Sequence, residues 1–230
     1  MITGVSIVDP LRGTTSAPQD SSSRLTRLAV EAGIDGIMHG PIEPLPDDLI
    51  KRLAERRTWY VPTLSLYDGI LTWARKQREA DPYALAGVEP SAIESLTAAW
   101  FLASAAEDEA GALEYLRHAS ENLRRAAAAG VPIALGTDVN NPFVFPGYSA
   151  HEELVWMVRA GLTPAQALQA GTAGAAAFLR ASDRIGAIAN GFEADFLLLS
   201  GNPLERIENS RRVVAVIADG RVIGQVVTAR

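Results

Sequence analysis

The hydrophobic and polar positions of this chain alternate between short apolar runs and longer stretches with helical spacing. Three short apolar runs, bounded by turn-forming residues, lead up to His39, Thr63 and Asp138, and runs of this length are typical of buried strands. Other stretches repeat their apolar positions with helical spacing, as in residues 47–57, which predicts amphipathic helices. Strand–helix units in succession favour a parallel sheet with helices packed on it.

Capping residues mark the starts of several predicted helices. Asp47 is expected to be the N-cap of the helix over residues 47–57. Ser149 and Glu152 have the Ser-x-x-Glu spacing of a capping box. Thr163 followed by Pro164 predicts a further helix, with threonine as its cap and proline at its first position.

The two ends of the chain differ from the middle. Residues 2–8 alternate weakly and are rich in β-branched side chains, which predicts a strand. Residues 9–23 are polar and rich in turn-forming residues, which is typical of a linker or a junction between unlike pieces. From residue 183 onward, short strands and turns replace the helices, and Asp219-Gly220 between two apolar runs predicts a β-hairpin.

The composition excludes several classes of function. Of 230 residues, 48% are hydrophobic and 21% are charged, as in an ordinary globular protein. The net charge of −6 and the lack of a basic patch argue against a nucleic-acid partner. No apolar run approaches the ~18 residues of a membrane span, and the N-terminus does not resemble a signal peptide, so we expect no membrane partner and a cytoplasmic location. Without cysteine, a metal site would use His, Asp, Glu or a modified Lys.

His39 and Asp138 are the candidates for chemistry, because each follows a predicted buried strand. In a (β/α) barrel, catalytic side chains come from the carboxyl ends of the strands. The imidazole of His39 can ligate a divalent metal, or it can pack under a loop. The carboxylate of Asp138 can bind a metal or accept a proton from a metal-bound water, or it can form an Asx-turn in the loop Asn140-Asn141-Pro142.

The chain has two further histidines. His151 follows the Ser149 cap, and a position near a helix N-terminus lowers the pKa of an imidazole and favours its neutral form. Its ring can then donate a hydrogen bond to a substrate, or it can face solvent. His118 lies opposite the apolar face of its helix, which predicts a surface residue. Tyr148 is one of several aromatic residues near the strand ends that can line a pocket.

Taken in order, these segments resemble the amidohydrolase superfamily, in particular its imidazolonepropionase-like and prolidase-like branch. The resembling segments are those of the family's sixth, seventh and eighth barrel strands, the helix after the eighth strand, and the returning strands of a β-sandwich. In this sequence they are residues 31–40, Val61-Pro62-Thr63-Leu64, Gly136-Thr137-Asp138, residues 151–154 with 160–168, and residues 185–196 with 217–222.

The resemblance implies an α/β fold. It would be a partial (β/α)8 TIM-like barrel that keeps strands six to eight and their helices, with a small β-sandwich formed by the two termini. Residues 24–180 would be the partial barrel of a metal-dependent hydrolase, residues 1–10 and 181–230 the β-sandwich, and residues 11–23 the linker or junction.

The resemblance also implies an activity. The family hydrolyses C–N bonds of small-molecule substrates, such as a non-peptide amide, a cyclic amide or a dipeptide, with a water activated by divalent metal, for which zinc is the first expectation. Carried over by position, His39 would be a metal ligand and Asp138 a metal ligand and the general base. His151 and Tyr148 would bind the substrate.

The chain departs from the family pattern where the metal centre is completed. It has no His-x-His pair, neither Lys51 nor Lys76 falls at a strand end, and no histidine stands at the fifth-strand position. A second interpretation is therefore a catalytically incompetent truncated homologue, or a structural or interaction subunit. Three parallel strands leave two open sheet edges, so we expect a marginal fold or association, as a homo-oligomer or with a chain that completes the barrel.

Overall fold

The strands form two separate three-stranded sheets within the residues that the computed structural model describes, which are 4–6, 21–41, 43–74, 89–91, 109–139, 141 and 144–225. The parallel sheet consists of β1 (Gly4–Ser6), β2 (Gly36–Met38) and β3 (Trp59–Val61). The antiparallel sheet consists of β4 (Phe196–Leu199), β5 (Val213–Ala218) and β6 (Arg221–Gln225). The predicted α/β class is thus confirmed.

Helices separate the strands of the parallel sheet and continue after it. They are α1 (Ser21–Glu31), α2 (Asp47–Arg56), α3 (Leu64–Ala74), α4 (Glu109–Ala128), α5 (Tyr148–Arg159), α6 (Pro164–Gln169) and α7 (Ala175–Phe178). A π-helical segment (Ala170–Gly174) joins α6 to α7, and a 3-10 helix (Ile207–Arg211) precedes β5. Among the described helices, none combines the length and the hydropathy that a membrane span requires.

Two predicted strands are confirmed as β2 and β3, whereas the third, over residues 131–138, is irregular. A single bridge joins Ile133 to Tyr60. The backbone N–H of Tyr60 donates to the carbonyl oxygen of Pro132 at 2.9 Å, and the N–H of Ala134 donates to the carbonyl oxygen of Tyr60 at 3.2 Å. The next bonds of this ladder would be donated by Pro132 and by Pro62, and neither proline has an N–H. The segment therefore lies beside β3 without forming a regular strand.

The N-terminal strand belongs to the parallel sheet, which corrects part of the predicted domain division. β1 pairs with β2 in parallel, so the expectation that residues 1–10 join residues 181–230 in a β-sandwich is wrong for residues 4–6. Without β1, the free edge of β2 would present unpaired N–H and C=O groups. The rest of residues 1–10 and residues 11–20 of the predicted linker lie outside the described residues, and residues 21–23 begin α1.

The antiparallel sheet is a single layer with apolar side chains exposed on both faces. Neighbouring strand residues point to opposite faces, and both Phe196 and Leu197 are exposed, by 42% and 46%. A sandwich needs a second sheet packed on one of the faces, and the described residues hold no second antiparallel sheet for that role. The part of the predicted sandwich that is present is therefore one sheet, over residues 196–225.

Two predicted helix starts are shifted. Asp47 is the first residue of α2 rather than its cap, and the N-cap position is held by Pro46 without a side-chain hydrogen bond. Ser149 lies inside α5, whose N-cap is Gly147, so the predicted Ser149–Glu152 capping box does not form. In both places the helix begins early, and the carboxylate or hydroxyl is no longer at the position from which it can cap.

Two other local predictions are confirmed. Thr163 is the N-cap of α6, and its hydroxyl and the Gln166 side chain form a reciprocal capping box. Asp219 and Gly220 connect β5 to β6, with φ of +49° and +70°. Two consecutive residues with positive φ are what a two-residue hairpin turn requires.

The hydrophobic core lies between the parallel sheet and its helices. Ile37 of β2 and Tyr60 of β3 are fully buried, and they belong to the same cluster as Leu53, Leu123 and Met157 from α2, α4 and α5. Helix α3 packs against both α4 and α5. This packing places α3 and α5 beside the carboxyl end of β3.

Candidate active site

Backbone hydrogen bonds between β2 and β3 continue past the carboxyl ends of the two strands. The backbone N–H of His39 donates to the carbonyl oxygen of Val61 at 3.0 Å, and that of Gly40 donates to the carbonyl oxygen of Pro62 at 3.3 Å. Residues that follow parallel strands share one edge of the sheet. The loops after β2 and β3 therefore begin from a common, hydrogen-bonded edge.

Three polar residues at this edge have a left-handed backbone. φ is +59° at His39, +51° at Thr63 and +57° at Asp138. For residues with a side chain this region is uncommon and costs roughly 1–2 kcal/mol per residue. Strain of this kind concentrates at functional sites, and here it occurs at the three positions where the predicted strands end.

The side chains of these three residues converge. His39 Nδ1 lies 3.2 Å from Thr63 Oγ1 and 3.5 Å from Asp138 Oδ2. The His39 and Asp138 side chains are 18% and 28% exposed, so both are held by packing and still reach solvent. The structure thus brings together the two residues that the sequence singled out. Within the described residues, both polar contacts of the His39 ring are made through Nδ1, so Nε2 is the nitrogen that could bind a ligand.

Within the described residues, the loop after Asp138 is bonded to the backbone carbonyl oxygen of this residue. The carbonyl oxygen of Asp138 accepts hydrogen bonds from the backbone N–H and from Nδ2 of Asn141, both at 3.2 Å. Asn140 and Pro142 of the predicted Asx-turn lie outside the described residues. The Asp138 carboxylate instead faces His39, as a base or a metal ligand at a strand end would.

Tyr60 lies directly beneath this edge. It is one of the aromatic residues near the strand ends that the sequence marks as able to line a pocket, but its contact with Gly40 was not predicted. Its hydroxyl oxygen fills the space that a Cβ at Gly40 would occupy. The ring is fully buried, and its hydroxyl has no hydrogen-bond partner within the described residues. The glycine after His39 is therefore required by contact with a tyrosine from the neighbouring strand, a signal that is not visible in the local sequence.

Glu153 is a residue that the sequence did not single out. It lies on α5 with no exposed surface, and its carboxylate accepts hydrogen bonds from the N–H groups of Leu64 at 3.0 Å and Ser65 at 2.7 Å. Burial raises the pKa of Glu153 to about 7, against the lowering effect of these two backbone donors. The only signal in the sequence is a pair of acidic residues, Glu152-Glu153, beside the apolar Leu154.

His151 and Tyr148 contact the 3-10 helix. His151 Nδ1 lies 3.1 Å from Ser210 Oγ, and the guanidinium of Arg211 lies 4.9 Å from the centre of the Tyr148 ring. Burial, and then the positive charge of Arg211, lower the pKa of His151. The predicted direction agrees, although the sequence attributed it to the helix N-terminus. The role of both residues in substrate binding stays a prediction.

Two of the residues at this edge have side chains of the kinds that bind metal ions. His39 and Asp138 have the right donor chemistry, but no group of three His, Asp or Glu side chains that could hold a metal ion occurs in the described part of the chain. A catalytic zinc ion normally has three protein ligands. The pair therefore does not fit a complete metal site without further donors.

Comparison with known proteins gives a family match for this chain and several similar proteins. Residues 15–223 match the model of the amidohydrolase family. An imidazolonepropionase of Anaeromyxobacter sp. (strain K) is 38% identical over 110 residues, which is 44% of this chain and 25% of that protein.

Solved structures show the same similarity in the fold. A Xaa-Pro dipeptidase with methionine bound in its active site has a TM-score of 0.63 at 28% identity, and the A. niger ochratoxinase has 0.60 at 26%. Each match covers 87% of this chain, but only 42% and 39% of those chains. The fold is thus similar to a TIM-barrel-like α/β fold, and the chain spans less than half the length of these proteins.

Proposed function

The chain belongs to the amidohydrolase family, and from this we propose that His39 and Asp138 are part of a centre that hydrolyses a C–N bond in a small-molecule substrate. The bond would be that of a non-peptide amide, a cyclic amide or a dipeptide. The similarity to an imidazolonepropionase and to a Xaa-Pro dipeptidase supports this range of substrates. The observation that carries the proposal is the 3.5 Å approach of His39 Nδ1 to Asp138 Oδ2 at the carboxyl edge of the sheet.

In this proposal Asp138 is the general base. Its carboxylate accepts a proton from the attacking water while the water oxygen bonds to the carbonyl carbon of the substrate. The same proton then passes from Asp138 to the nitrogen as the C–N bond breaks. The position of the carboxylate suits this role, because it is held at a strand end and remains partly open to solvent.

His39 is proposed as a metal ligand through Nε2. An Nδ1–H directed at Thr63 Oγ1 and Asp138 Oδ2 would fix the ring and leave the Nε2 lone pair available. Amidohydrolases generally use a divalent metal. Because the described residues provide two donors where about three are needed, we propose that the remaining ligands come from a chain that completes the barrel.

His151 and Tyr148 are proposed to bind the substrate from the first turn of α5. The lowered pKa of His151 keeps its ring neutral near pH 7, and a neutral ring can donate one hydrogen bond. The contacts with Ser210 and Arg211 orient the two side chains.

Metal content tests this function. Purified protein is dialysed with zinc, and bound metal is measured for the wild type and for His39→Ala and Asp138→Ala, with His118→Ala as a matched histidine control. About one or two equivalents retained by the wild type and the control, and lost by the two site variants, would support the proposal.

The second candidate function is an interaction subunit without catalytic activity of its own. It is favoured because the described residues hold no group of three side chains that could bind a metal ion. Absence of bound metal and of hydrolysis of dipeptides, N-acyl amino acids and cyclic amides, for this chain alone and for its complex with a chain that completes the barrel, would overturn the enzymatic proposal and leave this one.

A further inference from the structure

The first turn of α3 is capped from another helix. The N–H groups of Leu64 and Ser65, the first two residues of α3, donate to Oε1 and Oε2 of Glu153 at 3.0 and 2.7 Å. Glu153 lies 89 residues further along the chain than Leu64, on α5. A carboxylate at a helix N-terminus interacts favourably with the helix dipole, and here it satisfies two N–H groups that have no partner within the helix.

Thr63 stands where a helix normally finds its own cap. It is the residue before α3, and a threonine at this position commonly accepts a hydrogen bond from the N–H groups of the first turn through its hydroxyl oxygen. Here its hydroxyl oxygen lies 3.2 Å from His39 Nδ1 instead. Its backbone has φ of +51°, and its carbonyl oxygen accepts the N–H of Leu66 at 3.3 Å.

We propose that Glu153 is a positioning residue for His39: by capping α3 itself, it frees the Thr63 hydroxyl oxygen to hold the His39 ring. The link is a competition for one acceptor. If the N–H groups of α3 lost the carboxylate, Thr63 Oγ1 would be the nearest acceptor that the local sequence offers them, and it would leave His39 Nδ1.

Capping of α3 accounts for the burial of the Glu153 carboxylate. A glutamate side chain without exposed surface is rare unless it is paired or hydrogen-bonded. Because the cap comes from α5, the first turn of α3 is hydrogen-bonded to α5, and the Thr63 hydroxyl can contact His39. Glu153 is separated from His39 by Thr63 and acts only through it.

The inference rests on the proposed function in that His39 is the candidate ligand, but its test needs neither metal nor substrate. With three histidines in the chain, the ring resonances can be assigned by replacing each one in turn. The measurement is the ¹⁵N–¹H correlation spectrum of the rings in metal-free protein, which shows the nitrogen that carries the proton in each neutral ring.

Four variants of the full chain form the test. Thr63→Val removes the nearer of the two acceptors that face His39 Nδ1, and we expect the fraction of the Nδ1–H tautomer of His39 to fall. Thr63→Ser keeps the hydroxyl and should retain the wild-type spectrum. Glu153→Gln should reproduce the change seen in Thr63→Val, and the double variant should show no further change, because the two residues act in one chain of contacts. The His118 resonances, from α4, serve as the internal reference.

Tyr67→Phe is the matched control for disturbance of α3. The Tyr67 hydroxyl is buried in the same helix and has no hydrogen-bond partner in the described part of the chain. Its removal should leave the spectrum of the His39 ring unchanged. The inference is overturned if Glu153→Gln is folded and keeps the wild-type His39 spectrum, or if its effect adds to that of Thr63→Val. If Glu153→Gln does not fold, Glu153→Asp takes its place, because the shorter aspartate side chain cannot reach both N–H groups. An unchanged His39 spectrum in Glu153→Asp, or an effect that adds to that of Thr63→Val, would likewise overturn the inference.

Discussion

The side chain of Asn122 on α4 accepts a hydrogen bond from the backbone N–H of Leu45 through Oδ1 at 2.8 Å, across 77 residues of sequence. Its Nδ2 donates to the carbonyl oxygens of Pro41 at 3.1 Å and Glu43 at 2.7 Å. Asn122 has no exposed surface. One buried amide therefore holds the loop that follows His39 and satisfies three backbone groups of that loop.

Replacing Asn122 should destabilise the protein substantially. Asn122→Ala leaves the N–H of Leu45 and the carbonyl oxygens of Pro41 and Glu43 without their partner, which should lower the free energy of unfolding by about 2–3 kcal/mol. Urea denaturation measures this. Asn122→Asp keeps the acceptor for Leu45 but sets an oxygen against both carbonyls, so it should be at least as costly. Glu121→Ala, on the surface of the same helix, should change stability by less than about 0.5 kcal/mol.

The contact between Gly40 and Tyr60 predicts a compensating pair. A Cβ at Gly40 overlaps the Tyr60 hydroxyl, so Gly40→Ala should destabilise by roughly 1–3 kcal/mol through overpacking. Tyr60→Phe removes a hydroxyl without a partner in the described residues and should be nearly neutral. In the double variant, part of the loss caused by Gly40→Ala should be recovered. Strictly additive effects in a double-mutant cycle would show that the two sites do not interact.

Glu153 should make the protein less stable as the pH rises. Its pKa is about 7 in the folded protein against an ordinary value of 4.5, so the folded state binds more protons between these values. Stability therefore falls as the pH rises from about 4.5 to 7 and is constant above, with a component of about 3 kcal/mol at most. In Glu153→Gln this component is absent. The difference in unfolding free energy between wild type and variant should change across this window; a difference independent of pH would contradict the raised pKa.

His151 should contribute the opposite slope. Burial and Arg211 lower its pKa, so below its ordinary value of about 6.5 the unfolded chain binds the proton first. Its contribution is present above that pH and is lost as the pH falls toward the lowered folded value. His151→Gln should remove this acid-side loss, and Arg211→Gln should reduce it, because the second cause of the shift is then missing. Denaturation curves at several pH values check this, and a slope unchanged in His151→Gln would contradict it.

Features set by local chemistry could be predicted from the sequence. The Thr163 cap and the Asp219-Gly220 turn each depend on residues a few positions apart, and both have the expected geometry. His39 and Asp138 could be found because each follows an apolar run, and parallel strands bring such ends to one edge.

Features set by long-range contact could not be predicted in this way. Glu153 caps a helix that begins 89 residues earlier, and Tyr60 fills the space next to Gly40 from the neighbouring strand. The pairing of residues 4–6 with β2 depends on which edge is open in the folded chain, and the alternating pattern of residues 2–8 carries no information about that partner.

The exposed apolar side chains of the antiparallel sheet predict self-association or binding of a completing chain. Phe196 of β4 is 42% exposed and Ile223 of β6 67%, so large apolar side chains are exposed on both edge strands, and exposed apolar surface marks interaction sites. We expect light scattering after size-exclusion chromatography to give a mass above that of one chain, rising with concentration. Ile223→Lys should lower this mass, because burying an unpaired charge at the contact is unfavourable. Leu204→Lys, also exposed but outside the strands, is the matched control and should leave it unchanged. A single chain mass at every concentration would show that this sheet does not drive self-association.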